Sequence, residues 1–404
     1  MTIETPLKSE HEKLGAVFSA KPGEYFGCNL PRDYGDVTRE YKFARESAGL
    51  IDKNYRAVIS FTGNDRARYL NAMLTNNIRD LAPGHGNISL LLNPQGRIMA
   101  EVETLALEDR LLVISYAMIR QRLIETFDKF IIMDDVTLED LTDRTGTLAL
   151  EGPKTPAIVR ELCSLDLDSL GEFGHAEANV KKDGAEISCR IVKYSRATIP
   201  GADFITGREH LPALWNLLLE AARSHGGGPV GYTALNILRL EAGIPWYGVD
   251  FDENQIPHQA ALEKTHINFS KGCYTGQEIV ERVRSRGHIQ RQRVMLRFPG
   301  DAVPNPGEPL FAAPVESSAK AGAPGPGEIA AEVPAEVRAE SRAEVRVEVG
   351  FVTSAAKSPA SGAIIGMGYV RHEHAAPGSK LTWKNGEAEV FELPAAQKKA
   401  DPCR

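Results

Sequence analysis

The sequence predicts an α+β protein built on an antiparallel sheet, followed by a small all-β domain of barrel or sandwich type. Three observations carry this prediction. Strand-like and helix-like runs alternate from residue 56 to 132, with a hairpin signal among them. A long amphipathic run at 207–228 ends in three glycines. Beyond Arg291 only short strand-like runs remain, separated by Gly and Pro.

Taken in order, residues 1–36 are polar and rich in Gly and Pro, and they read as a loosely ordered lead-in. The run 37–52 places Tyr41, Ala44 and Ala48 on one helical face, with Gly49 as a plausible stop. Residues 56–63 alternate as a strand, and 64–74 have a capping residue followed by apolar residues at helical spacing. Two further strands, 87–93 and 97–107, flank the turn Asn93-Pro94-Gln95-Gly96. Residues 111–117 read as a strand, 118–132 as a helix, and 147–162 repeat the strand–turn–helix theme. The C-terminal strands are interrupted at 313–348 by a segment of Ala, Glu, Pro, Val and Arg with no aromatic residue. Such a composition cannot bury enough apolar surface to offset chain entropy, so a disordered or extended surface insert is expected. The resulting division is 1–36, 37–290 and 291–396.

Composition narrows the function classes. The chain has 404 residues, enough for two or three domains, with 42% hydrophobic residues and a formal net charge of −7. That charge argues against direct nucleic-acid binding and against adsorption to anionic membranes. No stretch approaches a membrane span, and the N-terminal residues resemble neither a signal peptide nor a transit peptide. The 5 cysteines are scattered with no CxxC, which suits a reducing compartment and disfavours a self-contained metal cluster. A cytosolic protein is expected. His372 and His374 have a spacing that could ligate metal on a strand, but no third ligand accompanies them, and no metal site is expected.

The segment 266–298 stands apart chemically. Gly272 and Gly276 bracket Cys273 in a short turn, and a helix is expected to continue through Gln277 and Glu278. A cysteine near a helix N-terminus feels the positive end of the macrodipole, which favours thiolate, and Lys271 would push the same way. Residues 271–297 carry seven Lys or Arg against two Glu, an excess that suits an anionic ligand. Gln277 and Glu278 offer paired donors and acceptors to a planar, amide-like heterocycle. The residue chemistry leaves other readings open: Cys273 as a packed core thiol, and the arginines as a solvated face.

The motif KGCYTGQE, followed by Arg282 and Arg286-Gly287, resembles the signature of the YgfZ family of folate-binding proteins, relatives of the glycine-cleavage T-protein. It is similar also to their mitochondrial relative in iron–sulfur assembly. Residues 56–78, 149–159, 235–250, 350–355 and 366–371 resemble other stretches of the family, so the likeness covers about 37–395 without the insert. The resemblance implies a ring of two interleaved α+β domains plus a C-terminal antiparallel β-barrel. It implies tetrahydrofolate as ligand and iron–sulfur proteins as clients, with an indirect effect on tRNA thiomethylation. It makes Cys273 a candidate reactive thiol, and Lys271, Tyr274, Gly276, Gln277, Glu278 and Arg286 candidate folate contacts. Arg56, Asn76, Arg239 and Glu241 are further candidates, each with ion pairing or capping as the alternative.

Two departures separate this chain from the aminomethyltransferases of the wider superfamily. Their hairpin strand carries an aspartate that the resemblance aligns with Ala100, leaving Glu101 beside it as a surrogate. Their Tyr-Thr-Gly-Glu stretch is replaced here by 197–205. A folate-binding maintenance factor is therefore expected, with aminomethyl transfer or demethylation as the alternative. The stretch 195–199, Ser-Arg-Ala-Thr-Ile, shows no recognisable chemistry.

Overall fold

The computed structural model describes residues 2–21, 23–182, 184–197, 199–287, 289–313 and 347–392. Two antiparallel-rich sheets and a closed barrel organise the chain. The first sheet has the strand order Thr137–Asp140, Arg56–Thr62, Leu111–Tyr116, Ile98–Ala106, Gly86–Leu92. The second has the order His175–Lys182, Ala185–Lys193, Gly201–Gly207, Thr145–Glu151, Gly49–Asp52, Gly228–Pro229. Because Gly49–Asp52 precedes every strand of the first sheet, the two α+β units are interleaved in sequence. The fold class is the expected one.

Strand pleat explains which residues meet between the sheets. In Ile98–Ala106, Ala100 and Val102 face the main core with Leu90, Val113 and Phe127. Successive side chains alternate, so Glu101, Glu103 and Leu105 turn the other way, toward the second sheet. Leu105 packs there with Val58, Leu112 and Ile114 against Val192 and Ile205. The layer between the sheets is therefore apolar at one end and ionic at the other.

Two expectations change in physical detail. The helix begun at Val37 ends at Glu46, and Gly49–Asp52 is a strand. It is paired to Thr145–Glu151 on one side and to Gly228–Pro229 on the other. A Cβ on Gly49 would lie 2.6 Å from the Val230 side chain, so glycine here serves close packing as well as stopping a helix. The N-terminal residues are not a loose lead-in. Thr5 and His11 are buried on Asp52, with His11 Nε2 2.9 Å from its carboxylate and Nδ1 2.8 Å from the Tyr34 hydroxyl. Phe26 stacks on Tyr55 at 4.3 Å. A buried carboxylate requires hydrogen-bond partners, and this segment supplies them.

The barrel closes in the order Arg291–Phe298, Ile364–Arg371, Glu348–Lys357, Pro309–Ala312, Lys380–Trp383, Gly386–Phe391, the last pairing back on the first. Leu296, Phe298, Val352, Ile364 and Trp383 fill it. Most of the segment 313–348, expected to be an insert, lies outside the described residues. Its flanks are held together, Ala312 N–H donating to Val347 O at 3.0 Å. His372 and His374 fall in a single 3-10 turn rather than on a strand.

Asp250 fastens the barrel to the α+β units. Its carboxylate accepts from Arg239 Nη1 at 2.5 Å and Trp246 N–H at 3.0 Å, and from the barrel hydroxyls of Thr353 and Ser354 at 2.6 Å each. Arg239 is fully buried, so removing its partner strands a desolvated guanidinium. Asp250→Ala should lower the unfolding free energy by about 3–5 kcal/mol in denaturant titration. A loss below about 1 kcal/mol would show that the seam is held by packing alone.

Candidate functional site

A cavity of about 300 Å³ opens at the seam of the two sheets and the loops that follow them. That is the lower end of the usual range for small-molecule sites, about 300–1,000 Å³. Its wall includes Glu101 and His266, the loop residues Tyr194 to Arg196, and Phe173 and Ile244. Phe173 and Tyr194 stack at 4.5 Å, giving the cavity an aromatic wall.

Glu101 is the centre of its chemistry. The carboxylate is 3% exposed and accepts from Tyr116 Oη at 2.6 Å and Arg196 Nη2 at 2.8 Å; His266 Nε2 lies at 3.2 Å. Burial alone would raise its pKa. Arg196 first, then His266 and Tyr116, outweigh burial and hold the carboxyl well below the usual range. Glu101 is therefore an ionised carboxylate, able to hold or stabilise positive charge and unsuited to giving up a proton.

Behind it runs a buried ionic chain. Arg196 also reaches Glu103 at 3.3 Å, and Glu103 pairs with Arg56. Ser195 Oγ donates to Glu151 at 2.8 Å, and Lys53 joins Glu151 at 3.1 Å to Asp203 at 2.7 Å. The first sheet contributes Arg56, Glu101 and Glu103; the second contributes Glu151 and Asp203. Arg196, from the connection between two strands of the second sheet, ties them together. Arg56 Nε and Nη1 and Arg196 Nε have no hydrogen-bond partner among the described residues.

None of the candidate folate contacts lines this cavity. Arg56 stands behind it, joined to the wall residue Arg196 through Glu103 in the ionic chain. Asn76 donates to the carbonyl of Ile88, itself a wall residue, at 2.8 Å. Arg239 is locked on Asp250, and Glu241 accepts from Tyr41, Arg45 and Ser358 near the barrel seam. Both are structural ties.

The motif around Cys273 forms a separate feature. Cys273 is exposed, four residues ahead of the helix Gln277–Arg286. Gly276 caps that helix at φ 81°, and a Cβ there would lie 2.6 Å from Asn93 O of the hairpin turn. Gln277 Oε1 accepts from Tyr274 N–H at 3.3 Å, and Glu278 pairs with Arg282 at 2.6 Å on the surface. Arg286 is exposed at the helix end. Lys271 does not serve the thiol: its Nζ caps the helix Arg66–Met73 on the carbonyls of Asn71 and Leu74.

Of the residues that matter most, Glu101 is the surrogate carboxylate the sequence offered, whereas Arg196 gave no sign. Glu101 and Glu103, two apart in an otherwise apolar strand, share one face by pleat alone. That spacing is a signal for a polar site. Arg196 lies in the stretch 195–199 that showed no chemistry, and its role depends on partners about 95 residues away. No local signal identifies it.

The GCVT N-terminal domain matches residues 7–271, and the glycine cleavage T-protein C-terminal barrel domain matches 291–395. The chain belongs to the glycine cleavage T-protein family. The aminomethyltransferase of Streptomyces coelicolor is 27% identical over 93% of this chain and 91% of that protein. That of Halothermothrix orenii is 27% identical over 94% of each. The crystal structure of the glycine cleavage system aminomethyltransferase T from Bartonella henselae superposes with a TM-score of 0.80 at 23% identity, covering 99% of both chains. That likeness is one of fold. These relatives carry the aminomethyltransferase name, and the YgfZ branch that the sequence motif resembles is not shown by them. No helix among the described residues is long and apolar enough to cross a membrane.

The depressed Glu101 pKa has a pH consequence. Its folded value lies below the free value of 4.5, so its stabilisation is complete above that pH and drains away as pH falls toward the folded value. Glu101→Gln should be less stable than wild type by about 2–4 kcal/mol near neutrality, because Arg196 loses the nearer of its two carboxylate partners and keeps only Glu103. The gap should hold steady above about pH 5 and narrow progressively as pH falls below the free value of 4.5 in urea titrations. A gap independent of pH would mean that Glu101 is not held ionised.

Proposed function

We propose that the central cavity binds a reduced folate and that the protein acts on a one-carbon unit carried by it, as an aminomethyltransferase-type protein. The observation that carries this reading is the buried, ionised Glu101 facing a cavity with an aromatic wall. A carboxylate has about four acceptor positions, and three are taken here. One remains for a ring N–H or amino group of the pteridine, while the Phe173–Tyr194 wall suits a flat heterocycle. An aminomethyl group passes through iminium-like positive charge, and a fixed carboxylate in a water-poor site stabilises such charge without moving a proton. The relatives' names favour this reading.

A second reading is favoured by one observation, the exposure of the Cys273 thiol. In it the chain acts as the YgfZ family does: it binds tetrahydrofolate, and Cys273 supports assembly or repair of iron–sulfur enzymes, affecting tRNA thiomethylation indirectly. Both readings need the same ligand and differ in the working residue.

Calorimetry with tetrahydrofolate should show binding, and Ile244→Trp, which fills the cavity, should abolish the heat while leaving the circular dichroism spectrum intact. Binding that survives Ile244→Trp would place the ligand elsewhere. With an aminomethyl donor, turnover should fall by about 100-fold in Glu101→Gln and be unchanged in Cys273→Ala. If no donor turns over, and Cys273→Ala fails to restore iron–sulfur enzyme activity to a deletion strain, the second reading replaces the first.

A further inference from the structure

We propose that a second cavity, at the outer edge of the second sheet, binds a small hydroxylated oxyanion through Arg39 and Arg223. The ligand class is a phosphate ester or a hydroxy acid. The site is separate from the central cavity and does not depend on the folate reading.

The cavity measures about 450 Å³, within the usual range for small-molecule sites, and shares no wall residue with the central one. It lies where the edge strand Gly228–Pro229 meets the helix Val37–Glu46 and the end of the helix Leu211–Ser224. One wall is the turn of three glycines, Gly226 to Gly228, that closes the amphipathic run. A Cβ on Gly228 would lie 2.5 Å from the Phe43 ring, and one on Gly227 would meet the carbonyl of Ala48. Glycine therefore lets the backbone pass close to the helix, and no side chain from the turn fills the space.

Four charged residues line the cavity, and they differ in what they are tied to. Asp36 accepts Arg39 N–H at 3.0 Å and so caps the helix. Glu40 is 2% exposed and accepts Tyr34 N–H at 2.7 Å and Gly231 N–H at 2.8 Å. The Tyr34 hydroxyl is held on His11 Nδ1 at 2.8 Å. These bonds fix the wall before any ligand arrives, which lowers the ordering cost of binding. The two guanidiniums, by contrast, form no ion pair among the described residues. Arg39 lies over the Phe43 ring at 5.3 Å, a stacking that leaves its N–H edge free. Two guanidiniums on one cavity match the oxygens of a phosphate or carboxylate. The remaining acceptor positions of Asp36 and Glu40 suit hydroxyl donors on the same molecule. A bare anion would leave those carboxylates opposed to it, so the lining favours an oxyanion that also carries hydroxyl groups.

The test is calorimetry of the full-length protein in a chloride buffer of low ionic strength, with glycerol 3-phosphate and, separately, malate. At least one should give saturable heat; glycerol 3-phosphate alone would assign a phosphate ligand, and malate alone a carboxylate. Arg39→Gln and Arg223→Gln change exposed side chains and should leave the circular dichroism spectrum intact. Each should weaken binding by about tenfold or more, the loss of one charge-assisted pair. Arg371→Gln removes the same charge from an exposed position on the barrel and should leave the affinity unchanged. Ile244→Trp, which fills the central cavity, should leave it unchanged as well. Equal weakening in Arg371→Gln would reduce the effect to net charge, and loss of binding in Ile244→Trp would move the ligand to the central cavity. Either result overturns the proposal, as does the absence of saturable heat with both probes.

Discussion

The pairing of Glu101 with Arg196 is the interaction on which the arrangement turns. It joins a strand of one sheet to a connection in the other, in a place where both side chains are almost wholly buried. The desolvation cost of each is offset only because the partner, and the next charge along, are within hydrogen-bond reach. Glu103, Arg56, Glu151, Lys53 and Asp203 extend the same logic across the whole inter-sheet layer. The cavity exists because this end of the layer is ionic and cannot collapse as the Val58–Leu105–Ile205 end does. Fold and site are thus one problem: the charges that keep the sheets in register also line the space between them.

Much of the fold was legible in the sequence because local rules govern it. Period-two alternation, the turn at 93–96 and the Gly- and Pro-punctuated tail give strands, hairpin and barrel without reference to distant residues. The errors occur where distant residues decide. Residues 49–52 form a strand because two other segments bracket them, and residues 5 and 11 are ordered because Asp52 needs partners. Composition alone reports neither.

The site was legible only in part, for the same reason. The motif at 271–278 attracts notice through its unusual residues, yet the structure gives most of them structural duties. Gly276 makes room for the hairpin turn, Lys271 caps a helix, and Gln277 and Glu278 stay within their own turn and helix. The cavity wall instead draws on Glu101, Arg196 and His266, three residues from three separate stretches. Of these only Glu101 has a sequence signal, its two-residue offset from Glu103 in an apolar strand. Aligning Ala100 with a catalytic aspartate leaves Glu101 as a surrogate beside it, and the pleat turns Ala100 into the core and Glu101 into the cavity. The absence of an aspartate at one position is therefore compatible with a carboxylate in the site.

The most direct measurement is a crystal structure of the protein soaked with folinic acid. The account predicts density for the pteridine in the central cavity, within hydrogen-bond reach of Glu101 and beside the Phe173–Tyr194 pair. Density confined to the arginine-bearing face of the helix Gln277–Arg286, with the cavity unchanged, would contradict it.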